Sequence, residues 1–110
     1  MDVSTEKIEP DIVVVRPVGR LDMASSPELE AVIQRSLTAG DLRIVVDLQG
    51  VDFLDSSGLG VLVSCLKEAR RSGGDIRVAS PAEQPAMVLR LSNLDRLLGS
   101  ADSVEDAFRV

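Results

Sequence analysis

The chain has 110 residues, 18 acidic and 12 basic side chains for a formal net charge of -6, no histidine, and only Phe53 and Phe108 as aromatics. An acidic surface repels a phosphate backbone and two phenylalanines make no stacking platform, so nucleic-acid binding is set aside. With 45% hydrophobic and 27% charged residues, the chain has the balance of an ordinary globule with one modest core.

The single cysteine, Cys65, closes no internal disulfide, and within a helix it is expected to act as a small apolar residue. No apolar run approaches the ~18 residues of a membrane span. The first residues, with Asp2, Glu6 and Lys7, lack the basic-then-apolar layout of a signal peptide. A cytoplasmic monomer, not associated with membrane, is the expectation.

Residues 3–8 are a first strand candidate. Residues 12–18 are a stronger one, because Ile12, Val13, Val14 and Val15 are all β-branched. Pro17 has no N–H to donate, so the strand is expected to end unpaired there. The first helix starts at Ser25 or Ser26. Ser26-Pro27 reads as an N-cap followed by the first helical position, and Ser25 with Glu28 reads as a capping box. Leu29, Val32, Ile33 and Leu37 mark its inner face, and Gly40 stops it.

Residues 42–48 form a strand whose Ile44-Val45-Val46 centre does not alternate, which predicts cover on both faces. Residues 49–55 read as a loop anchored by Val51, Phe53 and Leu54. A second helix over 57–71 has Leu59, Leu62, Val63 and Leu66 as its apolar stripe, cations in its last turn, and Gly73-Gly74 as its stop. A strand at 76–79 follows, then a third helix after Pro81 that includes Met87, Val88 and Leu91. Leu97-Leu98 reads as a last edge strand and Ser103-Val104-Glu105-Asp106 as the cap of a short final helix. Strands alternating with helices predict an α/β fold with mostly parallel pairing. Partners of such sheets meet the loops at the carboxyl ends of the strands, here Asp22 and residues 52–60.

The run Asp55-Ser56-Ser57-Gly58-Leu59-Gly60 carries the chemistry, and it supports two readings. As structure, Asp and Ser are preferred N-caps, and Gly58 and Gly60 permit close helix–sheet packing. As function, a serine at a helix N-terminus lies where a phosphate is tolerated, and phosphorylation adds about -1.5 to -2 charges at neutral pH. Enzyme readings fail on inventory. Without His there is no Ser-His-Asp hydrolase, and Gly58-Leu59-Gly60 lacks the Lys-Ser/Thr of a P-loop. One Cys and no His do not make a zinc site. Asp22, Asp52 and Asp55 are the acids that a magnesium ion would need, but dispersed loop acids are ordinarily solvated. No metal, no cofactor and no catalytic residue are expected.

The run from Val46 through Asp47-Leu48-Gln49-Gly50-Val51-Asp52-Phe53-Leu54 and Asp55-Ser56-Ser57-Gly58-Leu59-Gly60 to Leu62 resembles the signature of bacterial anti-sigma factor antagonists, a STAS-domain family. Gly19-Arg20-Leu21-Asp22 resembles the family's Gly-x-Leu-Asp segment. Gly73-Gly74 and Ala79-Ser80-Pro81 fall where the family has a helix end and a strand-to-helix turn. The resemblance spans about residues 8–108 and implies one STAS domain over the chain, with a mixed, mostly parallel five-stranded sheet and about four helices.

It further implies that Ser56, directly after the aspartate, is the phosphoacceptor, with Ser57 less favoured; the residues alone do not choose between them. Asp22 and Asp55, with Ser57, Gly58, Leu59 and Gly60, would form the surface that meets a kinase or partner. That partner would be an anti-sigma factor of GHKL-type ATPase fold, which binds ATP itself and phosphorylates the serine. A PP2C-type phosphatase would reverse the modification. The unmodified chain would capture the anti-sigma factor and free the sigma factor.

An adaptor subunit of a signalling or lipid-transport complex is the alternative on the same fold. A phosphotransfer receiver is disfavoured, because no acidic pair follows the first strong strand and no Lys follows Lys67. The visible departure is Asn93-Leu94 where the family often has Gly-Leu; Asn tolerates the left-handed turn.

Overall fold

In the computed structural model, which describes residues 1–108, the β-branched run sits at the centre of the sheet. Strand β1 (Asp2–Glu9) pairs antiparallel with β2 (Ile12–Leu21). Helix α1 (Ser26–Thr38) crosses to β3 (Arg43–Asp47), which runs parallel to β2 from Ile12↔Arg43 to Val15↔Val46. Strand β4 (Val51–Leu54) then takes over as the parallel partner of β2, from Gly19↔Val51 to Leu21↔Leu54. Helix α2 (Ser56–Arg71) crosses to β5 (Asp75–Ala79), the parallel neighbour of β3, and α3 (Glu83–Leu91) and α4 (Leu94–Leu97) follow. The result is a mixed five-stranded sheet with four helices, as the sequence implies.

Side chains alternate across the strands, and both faces of the sheet are covered. Val13, Val15, Ile44, Val46, Ile76 and Val78 pack under α1 and α2 with Leu29, Ile33, Leu62 and Leu66. Ile12, Val14 and Val45 face the other way, onto Ala107, Val104 and Phe108 of the C-terminal turns. The continuous apolar runs of β2 and β3 therefore have the two-sided burial expected of them.

Several elements differ from expectation. Pairing does not stop at Pro17. Pro17 falls between Val15, the last residue paired with β3, and Gly19, the first paired with β4, so its missing N–H breaks no ladder bond there. The segment read as a loop holds β4, with Val51 and Leu54 buried against β2. Leu97-Leu98 is not a strand. Leu97 ends α4, the Leu98 carbonyl accepts the Val78 N–H at 3.0 Å, and β5 is edged by the parallel bridge Ala79↔Ala101. Residues 104–108 form turns rather than a helix, although the Ser103 hydroxyl accepts the Asp106 N–H at 3.3 Å; positions 109–110 lie outside the described residues. On α3, Met87 and Leu91 point outward, and Pro85 and Leu89 are the buried positions. Asn93 does adopt the left-handed conformation, at φ 61°.

On α2 the buried stripe is Gly58, Leu62, Cys65, Leu66 and Ala69, with Leu59 and Val63 only half-buried. Cys65 is fully enclosed, and burial pushes its thiol up to about 12. A thiolate is the reactive form, so the native protein is expected to resist iodoacetamide at pH 8 and to be alkylated once guanidinium unfolds it. Alkylation of the native chain, read by mass spectrometry at a rate near that of the unfolded one, would contradict this placement.

Candidate functional site

The site forms where β2 and β4 end side by side. Because Leu21 pairs with Leu54, the residues that follow, Asp22 and Asp55, leave the sheet together. The Asp55 N–H donates to the Leu21 carbonyl at 3.3 Å, which ties the two turns to each other.

Asp55 has extended backbone (φ -112°, ψ -173°) and is the N-cap of α2. Its Oδ1 accepts the N–H groups of Ser57 at 2.9 Å and Gly58 at 3.1 Å. Two of the orphan donors of the first helical turn are thereby satisfied. The capping duty falls on the aspartate, and neither serine hydroxyl is used for it. Helix α2 begins at Ser56, one residue earlier than expected; Ser56 is exposed and Ser57 half-buried.

Asp22 closes a second tight turn. Its Oδ1 accepts the N–H of Ala24 at 3.1 Å and of Ser25 at 3.2 Å, and the Ser25 hydroxyl lies 3.3 Å away. The Ser25 N–H, above all, holds the Asp22 carboxyl below its ordinary range. Helix α1 starts at Ser26, one of the two expected positions, but neither expected capping pattern forms. Ser25 occupies the N-cap position, but its hydroxyl accepts from the Asp22 N–H at 3.0 Å and donates to the Arg20 carbonyl, so no capping box forms.

The two glycines play different parts. A Cβ at Gly58 would lie 2.6 Å from Leu54 Cδ1, 2.8 Å from Leu21 Cγ and 2.9 Å from the Leu21 carbonyl oxygen, so α2 reaches the sheet this closely only with glycine there. A Cβ at Gly60 would meet nothing within 4 Å, and the residue is exposed. Packing explains the first and not the second.

Residues not expected at the site frame it. The Arg20 guanidinium lies over the Phe53 ring at 4.1 Å, with its Nε 3.7 Å from Asp22 Oδ2. The cross-strand pairing Arg20↔Phe53 would have revealed the stack had β4 been recognised. Gln84 of α3 bonds both backbone groups of Leu54, accepting its N–H at 2.8 Å and donating to its carbonyl at 3.0 Å. Met23, 76% exposed, follows Asp22, and Met87 lines a shallow cleft with Asp52, Ala82, Glu83 and Gln84. Methionine, exposed here at Met23 and Met87, is a residue type enriched at protein–protein interfaces. Asp22, Asp52 and Asp55 do not converge on a cation site: among the described residues no group of three or more His, Cys, Asp or Glu is placed to hold a metal. No helix among them is long and apolar enough to cross a membrane.

Known proteins are similar to this chain in sequence and fold. A Thermotoga maritima protein provisionally named an anti-sigma factor antagonist is 34% identical over 102 residues, covering 92% of this chain and 90% of its own. A crystal structure from the same organism, under the same provisional name, superposes with a TM-score of 0.86 at 32% identity, over 96% of this chain and 90% of that one. The anti-sigma-B factor antagonist of Staphylococcus aureus is 28% identical over 91 residues, 83% of this chain and 84% of its own. Residues 4–107 match the STAS domain, and with the sheet order and the helix-capping Asp55 in place the chain belongs to the STAS domain family.

Proposed function

We propose that this protein is an anti-sigma factor antagonist switched by phosphorylation of Ser56. The unmodified chain docks the first turn of α2 and the Asp22 turn onto an anti-sigma factor, and the sigma factor is released. The anti-sigma factor is also a serine kinase of GHKL-type ATPase fold. It transfers the γ-phosphoryl group of its own bound ATP to the Ser56 oxygen, and ADP leaves. The phosphoserine carries about -1.5 to -2 charges into a surface already bearing Asp22 and Asp55, and the complex no longer forms. A PP2C-type phosphatase hydrolyses the ester and restores binding.

The observation that carries this reading is the exposure of Ser56 together with the capping of α2 by Asp55, which leaves the serine hydroxyl out of that duty. Ser57, half-buried one position further, is the poorer acceptor. The names of the Thermotoga and Staphylococcus relatives support the assignment. The test is to incubate the chain with its copurifying anti-sigma factor and ATP and to locate phosphate by peptide mass spectrometry. Acid-stable phosphate on Ser56 is expected. Phosphate only at another residue, or none, would overturn the reading.

Gly60 supplies a second check. An exposed glycine in a helix interior costs up to about 1 kcal/mol relative to alanine, and nothing in the packing requires it here. Gly60→Ala is therefore expected to raise the melting temperature by about 4 °C and yet to weaken partner binding, because the added methyl stands one helical turn beyond Ser56 on the docking face. Unchanged affinity would remove Gly60 from that face.

A further inference from the structure

We infer that Gln84 is a positioning residue for the acceptor segment: its side-chain amide takes the place of a missing strand beside β4 and holds Leu54, and with it the Asp55 cap and the Ser56 hydroxyl, in one geometry. The inference rests on the reading of Ser56 as acceptor and adds to it the device that orients the serine.

Strand β4 has four residues, and among the described residues its only strand partner is β2. Successive residues of a parallel strand point their backbone groups to opposite edges. Asp55 therefore turns its N–H toward β2, where the Leu21 carbonyl accepts it, and Leu54 turns its N–H and carbonyl the other way. No strand of the described residues stands there. Strand β5 pairs with β3, ends at Ala79, and the chain turns away through Ser80 at φ 52°. Leu54 is 1% exposed, so two buried backbone groups would be left unsatisfied.

Gln84 satisfies both at once, at 2.8 Å and 3.0 Å. A primary amide offers one donor and one acceptor side by side, as a peptide group does. The orientation of the amide follows from its partners, since only its oxygen can accept the Leu54 N–H. Asparagine would be one methylene too short to reach from α3. Leu54 also supports the acceptor helix from below, because its Cδ1 is the atom nearest the missing Cβ of Gly58. The residue two positions before Ser56 is thus pinned by β2, by α2 and, across a sequence separation of 30, by α3.

A positioning role and a merely structural one differ in what they move. Gln84→Met keeps the length and the helix propensity of the side chain and makes neither bond. In the unbound protein, exchange of the Leu54 amide, followed by NMR, is expected to quicken about tenfold, while the Val14 and Val45 amides keep their protection. In steady-state phosphorylation by the copurifying anti-sigma factor, kcat is expected to fall about 5- to 30-fold with KM for this protein within twofold, since Gln84 lies on α3, outside the first turn of α2 and the Asp22 turn that make the docking contacts. Gln84→Glu can still accept the Leu54 N–H but sets an acceptor-only oxygen against the Leu54 carbonyl, so its kcat should also fall below wild type; it serves if the methionine variant does not fold. An unchanged kcat overturns the inference, and so does a uniform loss of protection together with a lower melting temperature. A wild-type chain that takes no phosphate on Ser56 overturns the functional reading itself, and is told apart because the failure precedes any substitution.

Discussion

Phosphorylated Ser56 is expected to bind the anti-sigma factor about 30- to 1000-fold more weakly than the unmodified chain, with Ser56→Asp near the lower end of that range and Ser56→Ala indistinguishable from wild type. A pair of like unit charges about 6 Å apart at an effective dielectric near 20 repels by roughly 3 kcal/mol before screening. The phosphate carries nearly two charges and aspartate one. Salt screens part of this, and a partner that covers the site must also strip water from the anion. A net loss of about 2–4 kcal/mol corresponds to the stated factor. The fold should not suffer, because Ser56 is exposed at the first position of α2, where a negative charge is mildly favourable to the helix dipole. Calorimetric titration of the three forms decides the matter. Equal affinities, with melting temperatures also equal, would sink the switch.

Gly58→Ala is expected to lower the melting temperature by about 10 °C, from a net loss of about 2 kcal/mol. The three atoms within 3 Å of the new Cβ are two leucine carbons and a backbone oxygen. Leu21 and Leu54 are fully buried and have nowhere to turn, and the Leu21 carbonyl is held by the Asp55 N–H. The better helix propensity of alanine offsets part of the overpacking, at most about 1 kcal/mol. Displacing α2 would also move Ser56, so phosphorylation should slow in the same variant. Thermal unfolding followed by circular dichroism checks the first effect. A melting temperature within 2 °C or so of wild type would mean that α2 can lift from the sheet without penalty. The opposite sign expected at Gly60, two residues on, makes the pair a sharp comparison.

Both predictions turn on distinctions that the letters of the chain do not carry. Ser56 and Ser57 are adjacent and chemically alike, and Gly58 and Gly60 frame one leucine. Their exposures separate because α2 meets β2 and β4 along one line. That line buries Gly58, Leu62, Cys65, Leu66 and Ala69, exposes Ser56 and Gly60, and leaves Leu59 and Val63 half-covered. Periodicity located the helix to within a residue but placed its inner face slightly wrong, since leucine and valine on either side of the true stripe score alike.

The family resemblance carried in residues 46–62 already implied the sheet and the helix count; what propensity and periodicity determined by themselves is local. Ile12 to Val15 and Ile44 to Val46 have no other economical fate than buried strands, and both are buried. Gly40 and Gly73, at φ +93° and +86°, end their helices as expected, and Asp55 before an amphipathic run marks a helix start. The tertiary structure alone decided the rest. Four residues with one exposed acid are too short to show a strand period, so β4 exists only because β2 offers it an edge. The clamp from Gln84 to Leu54 joins positions 30 apart and could not be read from either neighbourhood. Propensity and periodicity act over a few residues, whereas the backbone groups still unpaired once the sheet has closed depend on the whole assembly.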